Sequence, residues 1–285
     1  MKGLIGVIGG SGLYQIEGLE NLRFEKIDTP FGSPSDEYAI GTIGGKEVAF
    51  LPRHGRGHVL LPDEINFRAN IYGFKKLGAQ WIISLSAVGS LKEELKPRDM
   101  VIIDQFFDRT KGRASTFFGE GIAAHIAFGE PVCKDMASIL YEAAKEAGVT
   151  VHKGGTYVNI EGPAFSTKAE SIVYKNLGMD VLGMTNLVEA KLAREAEICY
   201  ATVAMVTDYD CWHEGHDSVT VDMVLAVLLE NAENAKKIIK NAISKIRDER
   251  TCPCKDALAS ALITSKDRMP EKTKEKLGLI IGKYL

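Results

Sequence analysis

Short apolar runs alternate with amphipathic stretches along most of the chain, a pattern typical of an α/β protein. The helices predicted at 64–77, 134–147 and 167–177 are each followed by a glycine, the residue preferred just past a helix end. Ser166 is the predicted N-cap of the helix at 167–177. Further helices are predicted at 187–196 and 218–247, and strands at 3–9, 37–43, 46–52, 80–86, 99–104, 155–160, 180–183 and 198–208.

Two stretches depart from this alternation. Residues 105–133 lack periodicity, and an irregular segment of this length is usually functional or an interface. From residue 248 the C-x-C segment 252–254 breaks the preceding helix, a short amphipathic stretch follows at 255–264, and the end at 270–285 is rich in lysine. We therefore predict one domain over 1–247 with a helical tail over 248–285 packed on it.

The bulk composition excludes several classes of protein. The 285 residues carry a net charge of −3, so no basic surface for nucleic acid is expected. No apolar run reaches the ~18 residues that suggest a membrane-spanning helix. The glycines at 9–12 end the first apolar run too early for a signal peptide. The sequence thus predicts a cytoplasmic protein with no nucleic-acid or membrane partner.

The five cysteines leave two interpretations open. Cys252 and Cys254 form a C-x-C pair, and the others are scattered at 133, 199 and 211. Buried small hydrophobes are the usual case in a mesophile's cytosol, whereas hyperthermophiles also form intracellular disulfides. No second cysteine or histidine pair accompanies the C-x-C, and the His-Glu-Gly-His at 213–216 lacks the spacing of a zinc motif, so no metal site is expected.

The glycine-rich turn at 9–12 favours an anion over a nucleotide cofactor. A dinucleotide-binding loop needs a glycine where Gln15 stands, and the chain has no Gly-x-x-x-x-Gly-Lys-Ser/Thr phosphate loop. What remains is a tight turn that presents backbone N–H groups and the Ser11 hydroxyl. A plain turn at the end of a strand is the alternative.

Two segments at predicted strand ends are rich in anion-binding groups. Segment 53–58, Arg-His-Gly-Arg-Gly-His, combines planar guanidinium donors with glycines that let the backbone approach a ligand. Segment 84–90, Ser-Leu-Ser-Ala-Val-Gly-Ser, carries small hydroxyl residues that can line a ligand crevice. The alternatives are solvated loop charges and a simple turn of small residues.

Two further strand ends carry residues suited to a nucleoside. Glu161 could bind hydroxyls, and Phe165, beyond a Gly-Pro turn, could stack on a planar base. Met184 lies in the segment Gly-Met-Thr-Asn at 183–186. Its flexible side chain can line a ligand site whose shape adjusts. The alternatives are a core Phe165 with Glu161 paired to an arginine, and a core Met184.

Asp208 and Asp210 close the last predicted strand and are candidates for acid chemistry. At i and i+2 of an extended segment, their carboxyl groups point to the same side. Neighbouring carboxylates raise each other's pKa, which favours a protonated acid near neutral pH. Such a pair could protonate a ring nitrogen and accept a hydrogen bond from an amine, whereas a calcium site or a surface turn is the alternative.

Taken together and in this order, the segments resemble the 5′-methylthioadenosine phosphorylases, in the trimeric branch of the purine nucleoside phosphorylases. The resemblance runs from about residue 3 to residue 247. It rests on the segments 8–12, 53–56, 66–70, 89–91, 102–105, 160–163, 169–171 and 207–212. It implies a twisted mixed β-sheet that forms a distorted barrel flanked by helices, in a homotrimer or a homohexamer built as a dimer of trimers.

The resemblance also implies roles for individual residues. Those implied to bind phosphate are Ser11, Arg53, His54, Ser86 and Thr185, with Ala87 and Gly89 shaping the site beside them. Those implied to contact the nucleoside are Phe165, Met184, Thr185, Asp208, Asp210 and, from a neighbouring subunit, His125. Val188 stands where many relatives have proline, which leaves the start of the helix at 187–196 open.

The chemistry of phosphorolysis agrees with these roles. Phosphate held by donors attacks C1′, and protonation at N7 helps the purine to leave. We expect Asp208 to be that acid and Asp210 to accept the exocyclic amine of adenine, since a 6-oxopurine would be better met by an amide. No cofactor is expected besides phosphate as co-substrate. The alternatives are a broader purine nucleoside phosphorylase, acting on adenosine, inosine or guanosine, and a non-catalytic nucleoside-binding module.

The C-x-C tail resembles that of hyperthermophile members of this family. In those members the C-x-C closes on itself, and a second bridge joins positions that resemble Cys133 and Cys199. The resemblance therefore implies disulfides Cys133–Cys199 and Cys252–Cys254, with Cys211 reduced.

Overall fold

Eleven strands and six α-helices make up the described part of the chain. The computed structural model describes residues 3–10, 13, 15–213 and 221–285, with the backbone alone for 221–226. The strands are β1 (Leu4–Gly9), β2 (Glu20–Glu25), β3 (Tyr38–Ile43), β4 (Lys46–Pro52), β5 (Ala79–Ser90), β6 (Met100–Ile102), β7 (Gln105–Arg109), β8 (Val151–Lys153), β9 (Thr156–Ile160), β10 (Val181–Gly183) and β11 (Cys199–Asp208). The helices are α1 (Phe67–Lys76), α2 (Lys134–Glu146), α3 (Lys168–Asn176), α4 (Asn186–Glu195), α5 (Val221–Lys245) and α6 (Glu271–Ile281).

The long strand β5 organises the sheet. It runs parallel to β1 on one side, where Ile8 lies opposite Ser84, and parallel to β11 on the other. Its last residues pair with the antiparallel strand β10, where Leu182 lies opposite Gly89. One path of the sheet therefore runs β2-β3-β4-β1-β5-β10-β9-β7, while β11, β6 and β8 branch from β5. The helices α2, α4 and α5 pack against β11, so the expected mixed sheet flanked by helices is confirmed.

Several strands differ from their predicted limits. The prediction ended the β5 strand at residue 86, but the strand continues to Ser90 because its small residues pair with β10 and β11 on both sides. The short strands β2 and β8 were not predicted. Nor was β7, which lies inside the segment 105–133 and pairs with β9. Sequence periodicity cannot reveal the pairing of β7 or β8, since their partner strands β9 and β6 lie about 50 residues away along the chain.

Two helix starts also differ from expectation. Thr167, rather than Ser166, caps α3: its hydroxyl accepts the Glu170 N–H at 3.2 Å, and the Glu170 carboxylate accepts the Thr167 N–H at 2.9 Å. The helix α4 begins at Asn186 and carries Val188 in its first turn. Segment 255–264 forms no α-helix, and the last helix of the tail starts only at residue 271.

The tail after residue 248 contributes to the apolar core. Leu258, Leu277 and Ile281 are buried in one cluster with Ile8 of β1 and Ile82 of β5. Packing of this kind gives the tail its stability, since most helical stability in proteins comes from an apolar face buried against neighbours. Among the described residues, no helix combines the length and the apolar character needed to cross a membrane.

The five cysteines are free thiols in the structure, so neither expected disulfide is formed in it. Cys133, Cys199, Cys252 and Cys254 are buried, and their sulfur atoms all lie within 4.8 Å of one another. The sulfurs of Cys199 and Cys252, 3.1 Å apart, belong to different expected bridges. The two pairings therefore stay predictions, and the cluster does not by itself favour them.

Candidate active site

The end of β4 brings Arg53 to the glycine-rich turn that follows β1. The two strands are parallel, with Pro52 opposite Gly9, and the Arg53 N–H donates to the Gly9 carbonyl oxygen at 2.9 Å. Since the carboxyl ends of parallel strands meet at one edge of a sheet, the turn and Arg53 lie beside the middle of β5. Ser11 lies outside the described residues, so its expected contact with phosphate stays a prediction.

The Arg53 side chain forms a buried ion pair with Glu189 of α4. Its Nε donates to Glu189 Oε1, and its Nη2 donates to Glu189 Oε2 at 3.0 Å and to the Ser84 hydroxyl at 2.7 Å. Its Nη1 donates to the Leu85 carbonyl oxygen at 2.9 Å. These bonds use four of the five guanidinium N–H groups. Arg53 is therefore positioned at the expected strand end, but it chiefly holds protein groups together and has one N–H left for a ligand.

A chain of buried polar groups joins this ion pair to Ser86 and Thr185. The Asn186 Nδ2 donates to the Ser84 hydroxyl at 3.0 Å, and the Asn186 Oδ1 accepts the Thr185 hydroxyl at 3.1 Å. The Tyr157 hydroxyl lies 3.1 Å from the Ser86 hydroxyl and 3.4 Å from the Asn186 Oδ1. The network thus links Ser86 of β5 with Thr185, which follows β10, as a shared anion site requires.

His54 lies next to Arg53 and is half-buried. Burial, followed by the charge of Arg53, lowers the pKa of His54 to about 4, so its ring is neutral near pH 7. The ring Nδ1 lies 2.8 Å from the Leu60 carbonyl oxygen and must carry the proton that it donates there. The remaining ring nitrogen, Nε2, is then an acceptor, suited to an O–H group of phosphate or of a sugar.

Asp208 ends β11, and Asp210 lies in the turn that follows. The φ of Asp210 is 50°, so the expectation of a fully extended segment is wrong at this point. The turn is closed by the Asp210 N–H, which donates to Asp208 Oδ1 at 2.8 Å. Both residues nevertheless flank Gly89 of β5: a Cβ at Gly89 would lie 3.1 Å from Asp208 Oδ1 and 3.2 Å from Asp210 Cβ. A larger residue at position 89 would therefore displace the acids.

Burial is the main cause that raises the pKa of each of these carboxyl groups. For Asp208, the hydrogen bonds from the Thr207 hydroxyl and the Asp210 N–H lower the pKa only in part. For Asp210, burial is opposed by the Ser171 hydroxyl and reinforced by the charge of Asp208. Repulsion between the two acids therefore raises only the pKa of Asp210, and there it is secondary to desolvation. Asp210 Oδ2 is buried, and no group among the described residues meets hydrogen-bond geometry with it, although the Ser171 and Ser166 hydroxyls act on the pKa of this carboxyl group.

The segment 161–166 carries Phe165 between these acids and Met184. The Phe165 ring is 48% exposed, so the alternative of a core phenylalanine is wrong. A Cβ at Gly162, whose φ is 71°, would lie 2.6 Å from the sulfur of the half-buried Met184, so the segment crosses directly over that side chain. The Cys211 thiol donates to the Ser166 carbonyl oxygen at 3.3 Å, which ties the segment to the acids.

Glu161 is paired with an arginine, which is the alternative that the sequence left open for it. Its Oε1 accepts the Arg113 Nε at 2.8 Å, and the Arg113 side chain is 4% exposed. Arg113 also donates to the main-chain oxygens of Glu161 and Met184. A cavity of about 500 Å³ is lined by Arg113 and Glu161 together with Asn66 and Arg68. The cavity adjoins the Met184 side of the site, whereas the acids lie outside it.

β5 sets the separation between the two ends of the site. In the register with β11, Ser86 lies opposite Ala204 and Gly89 opposite Asp208. Three residues of strand span about 10 Å, with the partly exposed Ala87 between them. The edge therefore offers hydroxyl groups for an anion at one end and two protonatable acids at the other.

His125 is not brought to this site within a single chain. Its side chain is exposed, and its N–H donates to the Ala261 carbonyl oxygen of the tail at 2.8 Å. The expected contact with a neighbouring subunit's ligand stays a prediction.

Sequence reasoning assigned no role to four residues that hold the site in place, namely Tyr157, Asn186, Glu189 and Arg113, although Asn186 and Glu189 belong to the candidate segment that begins at Gly183. Of these, only Glu189 carried a signal, as an acid among the apolar residues of a predicted helix. The others lie in a strand, at a helix start and in an irregular segment, where a polar residue is unremarkable.

Comparison with known proteins gives a consistent result. The model of the phosphorylase superfamily matches residues 4–244. An S-methyl-5′-thioadenosine phosphorylase of Koribacter versatilis is 63% identical, with 100% of this chain and 97% of the relative covered. The enzyme of the same name from Geobacter sulfurreducens is 59% identical, with both chains fully covered.

Solved structures agree with the sequence relatives. The crystal structure of a methylthioadenosine phosphorylase from an antarctic soil metagenomic library superposes with a TM-score of 0.94 at 49% identity, covering 98% of this chain and 99% of that chain. A mutant adenosine/methylthioadenosine phosphorylase from Schistosoma mansoni, in complex with methylthioadenosine, superposes with a TM-score of 0.82 at 36% identity, covering 91% and 96%. The chain therefore belongs to the phosphorylase superfamily and, within it, to the S-methyl-5′-thioadenosine phosphorylases.

Proposed function

We propose that this chain catalyses the phosphorolysis of 5′-methylthioadenosine to adenine and 5-methylthioribose 1-phosphate, as a pentosyltransferase of purine and methionine salvage. The observation that carries the proposal is the pair of buried carboxyl groups on Asp208 and Asp210, about 10 Å along β5 from an anion-binding end. The relatives named S-methyl-5′-thioadenosine phosphorylases, 63% and 59% identical over essentially the whole chain, support it.

In the proposed reaction, a phosphate oxygen bonds to C1′ while the C1′–N9 bond breaks and its electron pair moves onto the purine. Asp208 gives a proton to N7 and becomes a carboxylate. Because burial raises the pKa of Asp208, its acid form persists closer to neutral pH than that of an exposed aspartate. Asp210 accepts a hydrogen bond from the 6-amino group through its carboxylate.

The phosphate end is proposed to work mainly through small polar groups. The Ser86 and Thr185 hydroxyls belong to one hydrogen-bonded network. The Arg53 guanidinium contacts that network through the Ser84 hydroxyl. His54 accepts an O–H of phosphate or of the ribose through Nε2. The full set of residues proposed to bind phosphate is Ser11, Arg53, His54, Ser86, Ala87 and Thr185. Phosphate is a co-substrate, and the reaction is proposed to need no cofactor.

The nucleoside end is proposed to use the exposed ring of Phe165 as a stacking surface for the purine. Met184 is proposed to contact the ribose. His125, from a neighbouring subunit, is proposed to reach the 5′ group.

We further propose a cytoplasmic homotrimer or homohexamer. The described surface exposes apolar side chains on and just beyond α3: Ile172, Val173 and Leu177 are 40–58% exposed. Apolar groups gathered in this way mark contact surfaces between proteins.

We expect light scattering to give a molar mass three or six times that of one chain, and the mass of a single chain would contradict this part of the proposal.

Three nucleosides test the reaction and its specificity. With phosphate, we expect release of adenine from methylthioadenosine and no release when phosphate is omitted. Adenosine and inosine share the 5′-hydroxyl and differ at position 6. We expect kcat/KM for inosine to be roughly 10- to 100-fold lower than for adenosine, because a 6-oxo group would face the acceptor Asp210 and lose one hydrogen bond to a charged group.

The outcomes of this assay separate the alternatives. Equal or faster cleavage of inosine would favour a broad purine nucleoside phosphorylase, an alternative that the names of the relatives do not favour. No cleavage of any of the three would contradict the enzyme and leave a nucleoside-binding module.

Replacing the proposed acid tests its role. Asp208→Asn should lower kcat by roughly 10²- to 10⁴-fold, the range typical of general acid catalysis. The acid must be protonated, so wild-type kcat should fall as the pH rises through the raised pKa of Asp208, and the variant should lack this decline. Asp104→Asn, at an exposed acid that accepts the Gly155 N–H at 3.1 Å, should keep both turnover and pH profile. Wild-type turnover in Asp208→Asn would exclude Asp208 as the acid.

A matched pair of serines on β5 tests the phosphate end. Ser86→Ala should raise the KM for phosphate by roughly 10- to 100-fold, because a hydrogen bond to a charged group is worth about 1.5–3 kcal/mol. Ser90→Ala, four residues along the same strand, removes a hydroxyl that donates to the Lys92 carbonyl oxygen at 2.7 Å, and should leave that KM unchanged. Equal KM values in the two variants would refute the role of Ser86.

A further inference from the structure

Four cysteines that are distant in the sequence meet at one buried point of the fold. Cys133 is the N-cap residue of α2, Cys199 is the first residue of β11, and Cys252 and Cys254 begin the tail. Each is at most 8% exposed, and all four sulfur atoms lie within 4.8 Å of one another. Since Cys133 and Cys199 belong to the main body of the chain, the cluster joins that body to the tail.

The arrangement matches the donor set of a structural metal site, and we propose that Cys133, Cys199, Cys252 and Cys254 bind one Zn²⁺. Structural zinc is almost always held by four ligands in a tetrahedron with Zn–S distances of about 2.3 Å, which places the sulfurs about 3.8 Å apart. The Cys199 and Cys252 sulfurs are 3.1 Å apart and no pair in the cluster exceeds 4.8 Å, and both values lie within about 1 Å of this separation. Small side-chain rotations are therefore enough to close the tetrahedron.

The chemistry of the donors selects the kind of metal. Thiolates are soft ligands, and a set of four of them is typical of zinc or iron rather than of magnesium or calcium. The site is closed, since all four donors are protein sulfurs and none is left for water, which is the form that structural zinc takes. Binding converts four thiols to thiolates and releases four protons, so affinity should rise with pH.

The surroundings suit the charge of such a site. Four thiolates and one Zn²⁺ carry a net charge of −2. A cleft of about 360 Å³ borders Cys133, Cys199 and Cys252 and gives an entry path for the ion. Its walls include three basic residues and two acidic ones, namely Lys245, Arg247, Arg250, Asp135 and Glu249. Cys133 also sits at the N-terminus of α2, where the helix dipole favours negative charge.

The proposed ion would fasten the tail to the main body. Beyond Cys254 the tail inserts Leu258, Leu277 and Ile281 into the core shared with β1 and β5. Metal binding of this kind adds its free energy to folding because the unfolded chain has no assembled site. No second cysteine or histidine pair stands beside the C-x-C in the sequence. The fold instead supplies Cys133 and Cys199 from two separate elements.

Metal analysis of the reduced enzyme tests the proposal. Protein purified with a thiol reductant should contain one zinc per chain by plasma mass spectrometry. Cys252→Ser and Cys254→Ser should each lose most of it and show faster proteolysis after residue 248. Cys211→Ser, at the one cysteine outside the cluster, should retain the zinc. Growth with Co²⁺ should give the visible thiolate-to-cobalt absorption of a tetrahedral site in the wild type and in Cys211→Ser, but not in Cys254→Ser.

Three results would overturn the proposal. One is protein without zinc whose mass lies four hydrogens below the reduced mass, which would mean two disulfides. Another is five titratable thiols and no metal, even after incubation with Zn²⁺ under reducing conditions. A third is zinc retained in both Cys252→Ser and Cys254→Ser. Phosphorolysis does not enter any of these readouts, so they are independent of the proposed activity.

Discussion

The buried ion pair between Arg53 and Glu189 is the interaction on which the geometry of the site depends. Burying two charges costs several kcal/mol per ion, and their attraction offsets this only when the remaining polar atoms are bonded. Here the second carboxylate oxygen of Glu189 also accepts the hydroxyls of Ser84 at 2.8 Å and Tyr200 at 2.9 Å. The cluster draws on β4, α4, β5 and β11, so it fixes the relative positions of four elements at the strand edge.

This cluster changes the interpretation of Arg53. From the sequence, an arginine followed by histidine and glycine at a strand end looks like a direct clamp for phosphate. In the fold, four of its five N–H groups are bound to the protein, so its main task is to position Ser84 and the neighbouring network. Because Glu189 neutralises its charge at contact distance, Arg53 can act on a nearby anion chiefly through its one remaining N–H group.

The sequence predicts the parts of this structure that depend on local pattern. Apolar runs and glycine stops located most of the strands and helices, and the strand ends at Arg53, Met184 and Asp208 correctly marked one edge of the sheet. What it could not predict depends on pairing across the chain. The extension of β5 to Ser90 needs β10 and β11 beside it. The four cysteines are 53 or more residues apart except for the C-x-C pair, so no local motif joins them.

The cause of the raised pKa of Asp208 decides whether this acid stays protonated when the substrates bind. A pKa raised by repulsion from Asp210 would fall back once Asp210 met the amine of the substrate. The pKa of Asp208 is raised chiefly by burial, and a purine stacked on Phe165 would remove still more water from the carboxyl group. Phosphate at the other end of β5 adds negative charge about 10 Å away, which also favours the protonated form. Binding of both substrates therefore strengthens the protonation of the acid that the reaction requires, so that Asp208 still carries its proton when the C1′–N9 bond begins to break.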